Sequence, residues 1–113
     1  MQSDLEKYRH DFKIIRETAA QVMKDFNMAG FEIIFSGNEL LAFDELKDQI
    51  IPILSDLYKN QSGQFQNLLY RVDIAESRFA KLLMGSDPNT FYSSVADLIL
   101  QREFQKVLTR RFY

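Results

Sequence analysis

The sequence predicts a mainly α fold, a bundle-like domain of four antiparallel helices with a short β-hairpin between the first and second. Apolar residues recur at gaps of three and four along most of the chain, the spacing that lines one face of a helix. Between residues 31 and 43 that rhythm gives way to β-branched and aromatic residues around a glycine turn. No linker or low-complexity stretch interrupts the 113 residues, so 1–113 reads as a single domain, long enough to bury a core without metal or disulfide support.

The first helix is marked by Leu5, Tyr8, Phe12, Ile15, Ala19, Val22 and Phe26. Ser3 or Asp4 is placed to cap its start, and Gly30 to close it in the left-handed conformation. "FEIIF" at 31–35 reads as a strand, followed by the turn residues "SGN". "ELLAF" at 39–43 is either the returning strand or, with Ser36 and Glu39 as a capping box, the opening of a helix. The hairpin is the favoured reading. Asp44 is then expected to cap a helix over 44–60, with Leu46, Ile50, Ile53, Leu54 and Leu57 on one face and a bend near Lys47 or Asp48 caused by Pro52. Ser62 is expected to cap a third helix carrying Phe65, Leu68, Val72, Ala75, Phe79 and Leu82. "MGSDPNT" separates it from a fourth, with Asp87 as N-cap and Pro88 at its first helical position, running to about Arg110.

Charged residues inside two of these stripes pose the main question. At 100° per residue, Glu76 falls within the third stripe and should be mostly covered, while Arg71 and Asp73 lie at its edges. Arg102 continues the stripe of the fourth helix, with Glu103 on its margin. Antiparallel packing across the 84–88 connection brings Asp73 within reach of Arg102 and Arg71 within reach of Glu103. Two crossed ion pairs are therefore expected, since a half-covered carboxylate without a partner costs several kcal/mol or takes up a proton. Their expected effect is to fix the register of the helices. The competing reading makes these groups a site that orients an anionic ligand.

Other chemistry finds little support. There is no cysteine, which removes disulfides, thiolate metal sites and cysteine nucleophiles. The single histidine, His10, lies off the apolar stripe and reads as solvent-facing. No phosphate-cradling or dinucleotide loop is present, and the glutamate–histidine spacing of helical di-iron sites is absent. No cofactor is implied. The N-terminus lacks a signal-peptide pattern and no apolar run is long enough to span a bilayer, so a cytoplasmic location away from membranes is expected. A formal charge of −2 gives no general attraction to nucleic acid. The basic tail "KVLTRRFY" is explained by the helix dipole, making nucleic acid an unfavoured partner.

The fourth helix is apolar on more than one face, with Leu100, Phe104 and Val107 pointing away from Val95 and Ile99. Either some helix is central, or a partner covers the excess. The function this favours is a non-catalytic interaction or assembly protein acting as a homodimer, with Leu100, Phe104 and Val107 at the interface and another protein as a possible partner. The alternative is a small helical protein that binds an anionic ligand in a pocket lined by phenylalanine and tyrosine, with Arg71 or Arg102 orienting it. Enzymatic activity is the third choice.

Overall fold

The computed structural model describes residue 8, residues 11–85 and residues 87–112. Among these residues are five helices and no strand. The helices are α1 (Phe12–Met28), α2 (Ala42–Asn60), α3 (Ser62–Val72), α4 (Glu76–Gly85) and α5 (Phe91–Phe112), with a 3₁₀ turn at Glu39–Leu41. The expected four-helix bundle with a hairpin is thus corrected on two counts. The Ser3 or Asp4 cap, Leu5 and His10 lie outside the described residues. Asp11 caps α1 at Phe12, its side chain accepting from the Ile14 amide at 3.3 Å.

The hairpin is replaced by an extended segment pinned to a helix. Residues 31–36 alternate as a strand would, with Ile33 buried and Glu32 and Ile34 exposed. Their backbone partners, however, are side chains of α2. Gln49 accepts from the Ile34 amide at 2.9 Å and donates to its carbonyl at 2.7 Å. Glu45 accepts from the Ser36 amide and hydroxyl at 2.5 and 2.7 Å. Once these polar groups are satisfied, no second strand is required. "ELLAF" accordingly opens a helix: Asn38 caps the 3₁₀ turn, accepting from the Leu40 amide at 3.1 Å, and α2 follows from Ala42. Asp44 and Glu45 lie in the first turn of α2, where they suit its dipole, and Asp44 is not the cap. Pro52 sits on an exposed face within α2 together with Asp48, so the carbonyl left unpaired four residues earlier faces water.

The expected third helix is two helices. Ser62 is its first residue and makes no cap; the preceding Gln61 has no capping side-chain bond either. At the other end Asp73 adopts φ 74° and ψ 49°, the left-handed region, and it is the one non-glycine residue with positive φ among the described residues. The amides of Asp73 and Ile74 bond back to the carbonyls of Tyr70 and Leu69 at 3.0 and 2.9 Å. That is a Schellman ending, the same one that closes α1, where Gly30 and Phe31 bond back to Asn27 and Phe26. Periodicity missed the second ending because an aspartate occupies the position glycine usually fills.

The break lets α3 and α4 meet α5 separately. Buried residues on α5, from Val95 and Ala96 through Ile99 and Leu100 to Phe104 and Leu108, cover more than half its circumference. All four other helices pack on it. Leu100, Phe104 and Val107, expected at a partner interface, are instead core residues, buried within the chain. Of the two ways to cover this helix, the central position is the one realised. At one end Tyr58 of α2, Phe65 of α3, Phe79 of α4 and Phe91 of α5 form an aromatic cluster with centroid separations of 5.1–6.0 Å.

The turn at Asp73 generates a prediction. An l-residue in the left-handed region costs about 1–2 kcal/mol, less for aspartate and nothing for glycine. Asp73→Gly should therefore stay within about 1 kcal/mol of wild type in urea unfolding, while Asp73→Ala loses about 1–2 kcal/mol. An alanine variant as stable as the glycine variant would mean that α3 and α4 can merge.

Candidate functional site

Of the charged residues singled out by the sequence, Asp73 and Arg102 are brought together. Arg102 donates through Nη2 to Asp73 Oδ2 at 2.7 Å and through Nε to the Asp73 carbonyl at 3.1 Å. One guanidinium thus holds both the side chain and the backbone of the left-handed residue, and it keeps the Asp73 carboxyl below its ordinary range. The pair is open to solvent, so its direct contribution to stability is small. The other expected pair is absent. Arg71 is exposed on α3, with Nη1 3.7 Å from the Met28 sulfur. Glu76, expected to be covered, is exposed in the first turn of α4, because the break at Asp73 resets the helical phase that had placed it inside.

Glu103 faces α1 instead. Its side chain is fully buried (0% exposed), with Oε1 2.5 Å from Lys106 Nζ, which in turn donates to Asp25 Oδ2 at 2.8 Å. Oε2 has no hydrogen-bond partner among the described residues. Two carboxylates and one ammonium group leave a net negative charge in a nearly dry space, which is expensive. Burial, and then the neighbouring Asp25, push Glu103 up to about 8 against the opposing pull of Lys106. A protonated Glu103 can donate to Asp25, turning a repulsion into a hydrogen bond. Asp25 is lowered: burial raises it, but bonds from Glu103, Lys106 and Gln21 prevail. Burial would lower Lys106, but the two acids together raise it.

This triad sits in a polar ladder between antiparallel helices. Arg111 meets Glu17 at 2.9 Å, and Arg110 donates to Gln21 at 2.7 Å, which donates to Asp25 at 3.1 Å. The sequence carried a signal for it, since Asp25 and Thr18 stand seven apart on the buried face of α1. The short connection at 84–88 sets a register only between the last two helices, and nothing local in the sequence sets one between α1 and α5. A carboxyl that keeps its proton near neutrality could serve as a general acid. Here both Glu103 oxygens are sealed from solvent, so the proton it holds is shared within the α1–α5 interface. None of the described helices is long and apolar enough to cross a membrane.

A second feature lies on the surface. Ile34, Leu40 and Leu41 are 62%, 73% and 55% exposed within eight residues of chain. The segment carrying them is fixed by Gln49 and Glu45 on one side and by a 2.8 Å ion pair between Arg16 of α1 and Glu39 on the other. Single exposed aliphatic residues need no explanation, but three within one tethered segment are a local concentration of exposed apolar surface.

Glu103 makes stability depend on pH. The folded state holds its proton up to about 8, the unfolded chain only to about 4.5, so the contribution of this group to stability is fully present below 4.5 and is lost as pH rises between these values. Asp25 titrates below this window and Lys106 above it. Urea unfolding across pH 5–8 should show wild type losing up to ~1.4 kcal/mol per pH unit, with Glu103→Gln nearly flat over the same range. Parallel curves for the two proteins would place the titration elsewhere. No protein-family model, curated protein or solved structure matches the chain.

Proposed function

We propose that the protein is a non-catalytic interaction protein that associates with itself through the tethered segment at 34–41. The observation that carries this reading is the exposure of Ile34, Leu40 and Leu41 on a loop whose backbone is already fixed from two helices. Ordering an interface loop costs binding energy, and a loop ordered beforehand avoids much of that cost. Aliphatic anchors on a rigid support are what an interface core uses, and a patch that meets its own copy across a twofold axis is the commonest arrangement. With Leu100, Phe104 and Val107 inside the core, this loop takes over the role expected of them.

The anionic-ligand alternative draws less support. The aromatic side chains it would need as pocket walls stack on one another at the α2–α3–α4–α5 cluster. Arg102 is engaged with Asp73, and Arg71 lies exposed beside Met28.

Size exclusion with light scattering tests the proposal. Wild type should be dimeric at tens of micromolar, and the double variant Leu40→Asp/Leu41→Asp should be monomeric with an unchanged melting temperature, because both side chains are exposed. A wild-type monomer at every accessible concentration, or a dimer indifferent to the two substitutions, would refute it.

A further inference from the structure

We propose that the groove between α4 and α5 is a docking site for a short acidic amphipathic segment of another protein. The inference rests on the reading of the chain as an interaction protein and adds a partner class, at a surface separate from the 34–41 loop. Two adjoining hollows of about 280 and 440 Å³ share Arg78 and Leu98 and so form one groove. It exists because α4, set free by the break at Asp73, buries none of its residues fully and leans on α5 mainly through the half-buried Phe79 and Leu82.

Leu98, Leu82 and Ile74 give the groove an aliphatic lining, while Arg78, Lys81 and Arg102 supply cationic groups. Arg102 is paired with Asp73, but neither Arg78 nor Lys81 has a carboxylate partner among the described residues. The groove therefore carries an excess of positive charge in a chain whose net charge is −2. From residue 78 to residue 85, α4 offers a wall of roughly 10 Å at 1.5 Å per residue, the length of two turns of a docked helix. An isolated phosphate would use the cations and leave the aliphatic surface wet. A segment with apolar residues on one face and glutamates beside them satisfies both, the helix-in-groove mode with electrostatic selection.

A fluorescein-labelled synthetic peptide of three helical turns, leucines on one face and glutamates flanking them, serves as the probe in fluorescence anisotropy. The full chain should bind it saturably, and the same peptide with glutamine for glutamate should bind at least about tenfold more weakly. Arg78→Glu/Lys81→Glu should lose binding to a similar extent; both residues are exposed, so the fold is retained. Gly85→Trp, which adds a side chain where a Cβ meets nothing within 4 Å, should obstruct the groove without touching its charge. Absence of saturable binding, equal affinity for the glutamine peptide, unchanged binding by both variants, or displacement by equimolar orthophosphate would each overturn the proposal. The Leu40→Asp/Leu41→Asp protein should bind the peptide like wild type, so a failure of self-association and a failure of the groove are read separately.

Discussion

The fold answers to one constraint, that the wide apolar face of α5 must be covered. Its apolar residues extend over more than half its circumference, and a helix of this kind is stable only when it is enclosed. Four helices supply the enclosure. A continuous helix over 62–85 would offer α5 a single straight neighbour. The left-handed residue at 73 divides it into two shorter ones that approach α5 separately, and Arg102, projecting from α5, holds that residue by both its carboxylate and its carbonyl. The central helix thus carries the group that secures the turn on which its own enclosure depends.

Polar groups follow the same logic. Along α1, the face that α5 meets includes Thr18 and Asp25 among its buried residues, and Glu103 enters that interface from the other side. A fully charged trio would leave one negative charge unmatched, and a proton on Glu103 removes the mismatch while adding a bond to Asp25. The interface is therefore specific without being uniformly apolar. The carboxyl that keeps its proton, Glu103, is itself fully buried. The aliphatic residues at 34–41 and the cations along α4, by contrast, reach solvent.

Much of this was legible in the sequence. Three-four spacing marked α1, α2 and α5, Gly30 announced its turn, and the charge pattern pointed to Asp73 with Arg102. The strand pattern at 31–35 was also real in its alternation, but the pairing groups came from Gln49 and Glu45, long-range partners that no local rule anticipates. The division between α3 and α4 was hidden because aspartate rarely takes the left-handed position and the apolar spacing continues across it. That continuity carried Glu76 to the wrong face and paired Glu103 with Arg71 when its neighbours were Asp25 and Lys106. The excess of apolar faces on α5 is plain from its spacing, and only the choice between a central helix and a partner depends on tertiary structure.

Native-state hydrogen exchange tests the central position of α5 most directly, because amides there can exchange only when the whole structure opens. The account predicts that amides of residues 95–108 share the highest protection in the chain, with an opening free energy equal to that of global unfolding measured in urea. Amides of α4, which buries no residue fully, should exchange through local opening at lower free energy. Protection in α5 no greater than in α4 would contradict the enclosure of α5 and the account built on it.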